Sequence, residues 1–234
     1  VSKALIVSCD TFFYNLASQL GIKKLDQSFF SFGFGRPTHI DIGEELQGIV
    51  PTPGWEIRYK HHGWYTGDTV ITGIGQGSLL VTPLQLAVAT ATLATRGQHF
   101  IPHLIQIPKT LERQASKNNQ ALEDQKRLAW KTVSQAMQGV ILAPEGTAIN
   151  YGKDSHYTVS GKTGTVQVFQ KKTYKHVNIE SIPKKLRNNH LFIAFAPVDH
   201  PKIAVAVVVE HASDADGIAR HVIDNFLEKN PSYN

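Results

Sequence analysis

Lys162, Thr163, Gly164 and Thr165 stand inside residues 157–169, a segment whose residues otherwise alternate like a β-strand. Val159, Gly161 and Thr163 would face one side and Ser160, Lys162 and Gly164 the other. Gly164 keeps the strand surface open, so that another backbone can approach it closely. A cation and two hydroxyls so placed are groups that bind anions or pass protons. Phosphate binding is the first chemistry to test, because Gly-Lys-Thr ends the phosphate-binding loop. That loop requires a glycine where this chain has His156, and a helix where Thr165-Val166-Gln167-Val168-Phe169 continues as strand. Gly73-Ile74-Gly75-Gln76-Gly77 likewise fails the dinucleotide fingerprint, since position 78 is Ser.

A second cluster, Ser8-Cys9-Asp10, opens the chain just before an amphipathic helix in which Phe13, Leu16, Ala17 and Leu20 recur at helical spacing up to Gly21. The plain reading is that Ser8 or Asp10 is a helix N-cap. Taken with Lys-Thr-Gly, a motif of serine acyl-transferases, it also has the form of a second motif of that group, Ser-x-Asn or Ser-x-Asp. The chain resembles the transpeptidase domain of class B penicillin-binding proteins, and more narrowly the penicillin-binding protein 2 subgroup, the elongation-specific D,D-transpeptidases of Gram-negative bacteria. The acidic Asp10 fits that subgroup. Gly67-Asp68-Thr69, Gly73–Gly77, Thr82-Pro83-Leu84-Gln85, Pro102-His103-Leu104 and Phe192-Ile193-Ala194-Phe195-Ala196-Pro197 follow in family order, to about residue 228.

The resemblance implies a fold and a chemistry. Acyl transfer needs a nucleophilic serine, a base, and donors for the tetrahedral oxyanion. By resemblance, Ser8 and Lys162 flank the leaving nitrogen and carry its proton, Asp10 holds the substrate amide, and Thr163 and Thr165 bind the terminal carboxylate of a stem peptide or of a β-lactam. The Thr165 N–H supplies half of the oxyanion hole. No cofactor is implied. The implied partners are peptidoglycan stem peptides, β-lactam antibiotics, a membrane glycosyltransferase and proteins of the elongation machinery, at the periplasmic face of the bacterial inner membrane.

The family nucleophile lies in a Ser-x-x-Lys motif well before Ser-x-Asp, and only seven residues precede Ser8 here. The string Ser181-Ile182-Pro183-Lys184 lies after Lys-Thr-Gly, in the wrong order, and Pro183 argues against the helix start such a nucleophile requires. Residues 1–234 therefore read as the C-terminal portion of a single transpeptidase domain, with Ser-x-x-Lys and a membrane anchor expected upstream. By itself the chain is expected to form no covalent adduct with penicillin. A class D β-lactamase or related penicillin sensor is the rival in chemistry, but those have an apolar third residue where this chain has Asp10. A non-catalytic domain that kept the fold is the rival of another kind; labelling the intact protein with a fluorescent penicillin separates it.

Composition sets bounds. The 234 residues, 41% hydrophobic, suffice for one sizeable core. The apolar run 203–209 is far below the roughly twenty residues of a membrane span. The net charge of +5 is concentrated in Lys171, Lys172, Lys175, Lys184, Lys185 and Arg187, and no nucleic-acid fold signature accompanies it, so nucleic acid is not an expected partner. The single cysteine, Cys9, reads as a small spacer, and would join a metal site only with ligands from upstream. His61 and His62 read as surface histidines.

These residues must be positioned by an α+β arrangement, an antiparallel sheet flanked by helices. Residues 29–54, rich in glycine and aromatics, suggest strand-like and turn-like pieces. Thr82 caps a helix through Pro83 and a Gln85 capping box, with Leu84, Ala87, Val88 and Ala91 expected inward and a stop at Gly97. Residues 112–124 are polar and expected to be exposed. A long helix follows, with Leu128, Val133, Met137 and residues 140–142 apolar. Strands at 157–169, 190–197 and 202–210, without helical crossovers, predict an antiparallel meander, and a helix over 214–228 is expected to cover it through Ile218, Ala219, Val222 and Phe226. The Lys-rich segment 170–189 has little to bury and is expected to be mobile.

Overall fold

In the computed structural model, residues 1–105, 120–153, 155–167 and 182–230 are described. Six helices come first: α1 (Ser2–Ile6), α2 (Asp10–Leu20), α3 (Ile22–Ser31), α4 (Pro53–Lys60), α5 (Thr66–Thr72) and α6 (Pro83–Ala94). The long α7 (Gln120–Leu142) leads to β1 (Ser160–Val166), β2 (Asn189–Ala196), β3 (Ile203–Val209) and α8 (Ala215–Lys229). The strands form the expected antiparallel meander in the order β1-β2-β3, with Ser160 opposite Phe195 and His190 opposite Val209.

Side-chain alternation builds a core on each face of the sheet. Phe192, Ala194 and Ala196 of β2 and Val205 of β3 pack with Ala215, Ala219, Ile223 and Leu227 of α8. Phe195 turns to the other face and meets Ala94 of α6 and Met137 of α7, with Ile193 and Val133 beside them. Val140 and Ile141, further along α7, join the first core and lie against the end of the sheet near β1. Leu128 and Leu142, apolar but off the packed stripe, are exposed.

The buried stripe of α8 differs from the expected one. Ala215, Ala219, Ile223 and Leu227 are buried, whereas Ile218 and Val222 are 44% and 46% exposed. Spacing of four places one small or branched residue per turn over the sheet, and the small Ala215 and Ala219 admit the close approach. A similar rotation occurs on α6. Its capping box forms as expected, with the Gln85 N–H donating to Thr82 Oγ1 at 3.1 Å and the Thr82 N–H to Gln85 Oε1 at 2.9 Å. The helix then buries Gln85, Ala89, Thr90, Thr92 and Ala94, while Leu84, Ala87, Val88 and Ala91 are only half-buried. The two threonines tolerate burial because each donates its hydroxyl to the carbonyl four residues back, Leu86 at 2.7 Å and Val88 at 2.9 Å.

Residues 29–54 are not strands. Helix α3 runs through Ser31, and the remainder makes a single bridge between Ile49 and Leu80. Polar side chains hold this stretch where a ladder would otherwise do so. Gln85 Nε2 donates to the carbonyls of Arg36 and Gln47, both at 2.8 Å. The Glu45 carboxylate accepts the N–H groups of Thr38 and His39 at 2.7 and 2.9 Å, which holds its pKa below the usual range despite the opposing cost of desolvation. Helix α7 begins inside the stretch expected to be polar and exposed. Of the segment expected to be mobile, 170–181 lies outside the described residues; 182–188 carries a short 3₁₀ turn (Lys184–Leu186), and Asn189 already belongs to β2.

Two stability predictions follow from packing and burial. Ile223→Ala should cost about 2–5 kcal/mol in urea unfolding and Val222→Ala well under half of that, because only Ile223 fills the core; equal costs would contradict the orientation of α8. Asp26 on α3 is 8% exposed, and its Oδ1 has no hydrogen-bond partner among the described residues. Burial raises its pKa from 3.8 to about 6. Between those values the unfolded chain releases the proton while the folded one keeps it, so stability falls as pH rises through this window and stays lower above it. Asp26→Asn, which mimics the protonated acid, should therefore stabilise at pH 7 by on the order of 1 kcal/mol and by nothing measurable at pH 3.5, as judged by unfolding curves at the two pH values.

Candidate active site

Ser8 sits in the sharp link between α1 and α2, with a left-handed backbone (φ 54°). The link is closed by the Cys9 N–H donating to the Ala4 carbonyl at 2.8 Å. Neither Ser8 nor Asp10 is the N-cap of α2: the cap position is Cys9, without a side-chain bond, and Asp10 is the first helical residue. That correction frees the Ser8 hydroxyl and the Asp10 carboxylate from capping. Both side chains lie at the surface beside β1. Helix α1, too short to stand alone, is held against α7, where a Cβ on Gly139 would come within 2.7 Å of Ile6 Cδ1, and by the Lys3–Glu145 ion pair.

Strand β1 brings Lys162 to this link. Lys162 Nζ donates to Ser8 Oγ at 2.5 Å, to the Thr163 carbonyl at 2.8 Å and to Thr163 Oγ1 at 3.2 Å. The alternation expected for the strand holds. Ser160, on the Lys162 side, is fully buried and donates to the Ser134 carbonyl of α7 at 2.9 Å. Gly161 points the other way, where a Cβ would stand 2.6 Å from the Phe192 ring. Among the described residues, a Cβ on Gly164 would meet only Leu191, at an ordinary 3.4 Å. Thr163 Oγ1 also meets Thr147 Oγ1 at 2.8 Å, and Thr165 is exposed.

Burial sets the electrostatics of Lys162. Desolvation lowers the Lys162 pKa from 10.5 to about 8, and the Asp10 carboxylate opposes that shift. An amine with a pKa near neutrality exchanges protons readily with a hydroxyl in contact with it. Asp10 thus acts on Lys162 through space, across the short turn that separates it from Ser8.

Gly73-Ile74-Gly75-Gln76-Gly77 supplies what sequence reasoning did not foresee. A Cβ on Gly73 would stand 2.3 Å from Ala17 Cβ, so glycine there is what lets α5 lie against α2. Gly75 and Gly77 have φ of 76° and 77°, the left-handed turn that glycine adopts without strain. Between them Gln76 reaches the outer edge of β1, where Nε2 donates to the Thr165 carbonyl at 2.9 Å and Oε1 accepts the Gln167 N–H at 3.4 Å. The glycine spacing marks a turn in the sequence. The contact of Gln76 with a strand 89 residues away has no local signal.

An antiparallel sheet covered by helices on both faces, with a lysine on its edge strand touching a serine at a helix start, defines a class of protein. The chain belongs to the penicillin binding protein transpeptidase domain family, whose model matches residues 1–228. It is 36% identical to a peptidoglycan D,D-transpeptidase MrdA of Salmonella typhimurium over 97% of this chain and 38% of that protein. Among solved structures it is similar to penicillin-binding protein 2 of Helicobacter pylori in complex with MreC (TM-score 0.81, 29% identity, 97% of this chain and 40% of that one). It is also similar to the Pseudomonas aeruginosa penicillin-binding protein 2 in complex with WCK 5153 (TM-score 0.75, 33% identity, 97% and 48%). The chain thus spans under half the length of each of these relatives.

Asp10→Asn removes the charge that favours the ammonium form, so the Lys162 pKa should move below about 8. NMR titration of lysine-labelled protein measures this directly; an unchanged or raised value would show that Asp10 does not act on Lys162.

Proposed function

We propose that this chain is part of a peptidoglycan D,D-transpeptidase that cross-links stem peptides during cell elongation by serine acyl transfer, and that β-lactams inhibit it. The observation that carries the proposal is the contact between Lys162 and Ser8 at the open edge of β1, with Asp10 beside it and the hydroxyls of Thr163 and Thr165 further along the strand. The names of the relatives point to the same chemistry.

In this reading a serine from a Ser-x-x-Lys segment, supplied from outside residues 1–234, attacks the penultimate D-Ala carbonyl of the stem peptide. The tetrahedral oxygen is received by N–H donors, one of them that of Thr165. As the intermediate collapses, the C–N bond to the terminal D-Ala breaks and the nitrogen takes a proton through the Ser8–Lys162 pair. The amine of a second stem peptide then attacks the acyl carbonyl, the ester bond to the serine breaks, and the proton the amine loses returns to the serine oxygen as the cross-link forms. The terminal carboxylate of the donor peptide, or that of a β-lactam, rests against Thr163, Thr165 and the positive Lys162. Gly164, without a side chain, leaves room for the peptide backbone. This chemistry needs no metal or cofactor. Asp10 tunes Lys162 and holds the substrate amide.

The same reading places the domain at the periplasmic face of the inner membrane, on an anchor outside this sequence, and among proteins of the elongation machinery. The Helicobacter pylori relative in complex with MreC supports such a partner, and a membrane glycosyltransferase is the other partner proposed. No helix among the described residues is long and apolar enough to cross a membrane.

The test is penicillin acylation of the full-length protein. Lys162→Ala should slow it by at least about a hundredfold, the usual cost of losing a proton-transfer or charge-stabilising group. Stopped-flow rates within threefold of wild type would remove Lys162 from the mechanism.

A further inference from the structure

The outer edge of β1 carries an unusual pattern of hydrogen-bonding groups. Along a strand, the N–H and C=O of one residue leave on the same edge, and alternate residues share an edge. Thr165 turns its carbonyl to Gln76, away from β2, so the Thr165 N–H and the backbone groups of Thr163 and Gln167 also face outward. An open edge of this kind normally offers donors and acceptors in alternation. Here the carbonyls of Thr163 and Thr165 are occupied. That of Thr163 accepts from Lys162 Nζ at 2.8 Å, and that of Thr165 accepts from Gln76 Nε2 at 2.9 Å. The Gln167 N–H is taken by Gln76 Oε1. What remains between the two caps, among the described residues, is the Thr165 N–H, a donor flanked by a lysine and by hydroxyls.

We propose that Gln76 is a positioning residue for acyl transfer: by capping the Thr165 carbonyl and holding the Gln167 N–H it pins the backbone that follows Thr165, and so limits rotation about the Thr165 backbone bonds that aim the Thr165 N–H, in the preceding peptide plane, outward from the edge of β1 as a donor to the developing oxyanion. The inference rests on the function proposed above. It assigns to Gln76 no contact with substrate; the residue acts through Thr165.

The support for Gln76 is itself built into the fold. Its turn is closed by the Gly75 N–H donating to the Thr72 carbonyl at 2.9 Å and the Gln76 N–H to the Ile71 carbonyl at 3.1 Å. Two residues on, Ser78 Oγ donates to Glu56 Oε1 at 2.9 Å, and Lys60 Nζ donates to Ser78 Oγ at 2.5 Å. Glu56 is 2% exposed, so this anchor on α4 ends in a buried carboxylate. Gln76 is thus held from both sides, by α5 before it and by α4 after it. A side chain held in this way can fix a peptide plane without reorganising during the reaction, which is what stabilisation of developing charge requires.

The test uses the full-length protein with benzylpenicillin as probe. Gln76→Glu keeps the size and an acceptor for Gln167 but loses the donor to Thr165. Gln76→Met keeps the length and loses both bonds without adding charge. Both should lower the acylation rate constant at saturation about 10- to 100-fold, less than the loss of an oxyanion donor outright, while the dissociation constant of the preceding non-covalent complex changes less than threefold. Gln76→Met should also speed amide exchange at Gln167. The Lys162 pKa, read by NMR, should stay where it is in Gln76→Met. Acylation rates within threefold of wild type in both variants, or a loss confined to the non-covalent step, would overturn the role of Gln76 and leave the proposed function standing. A wild-type protein that penicillin does not label would overturn both.

Discussion

The contact between Lys162 Nζ and Ser8 Oγ joins positions 154 residues apart, and most of the described structure can be read as what makes it possible. A lysine amine loses hydration when it is enclosed, and here that cost appears as a lowered pKa. The chain keeps the amine in place with fixed partners, the Ser8 hydroxyl and the Thr163 carbonyl and hydroxyl, and with the nearby Asp10 carboxylate. The result is an amine whose pKa burial has lowered to about 8, in hydrogen-bond contact with a serine hydroxyl.

Holding that contact requires two rigid supports that meet at α7. On one side, α7 carries β1 through the buried Ser160–Ser134 bond and through Ile141 in the core. On the other, it carries α1 through the close approach at Gly139. Because both rest on α7, one helix sets the position of Lys162 relative to Ser8. The sheet is in turn fixed by α8 on one face and by α6 and α7 on the other. The position of the site is therefore set by cores that lie away from it.

Glycine does two different jobs around this centre. At Gly73 it removes a methyl that would collide with Ala17 and so lets α5 pack on α2. At Gly75 and Gly77 it allows a left-handed turn that sends Gln76 out to the strand edge. Gln85 shows the same economy of means with a buried amide: it closes the cap of α6 and also satisfies two carbonyls of the 36–47 loop. In both cases a carboxamide stands in for a strand that is not there, because it offers a donor and an acceptor at the spacing of a peptide group.

Three strands in antiparallel order and the Thr82 cap were legible along the chain, because each rests on local pattern: alternation along β1, β2 and β3, and a hydroxyl and an amide three residues apart. The sequence also marked Gly73–Gly77 as a turn. Only the tertiary structure decided which stripe of α6 and α8 is buried, since several rotations of an apolar helix satisfy the same periodicity and the contacts with the sheet choose among them. Residues 29–54 defeated the local reading for a related reason: their order comes from Gln85, Glu45 and one bridge to Leu80, all supplied from outside any local repeat. The same holds at the site. Residue types named Ser8, Asp10 and Lys162, but the Lys162–Ser8 contact and the reach of Gln76 to Thr165 depend on distances between segments far apart in the chain, which no spacing along a sequence encodes.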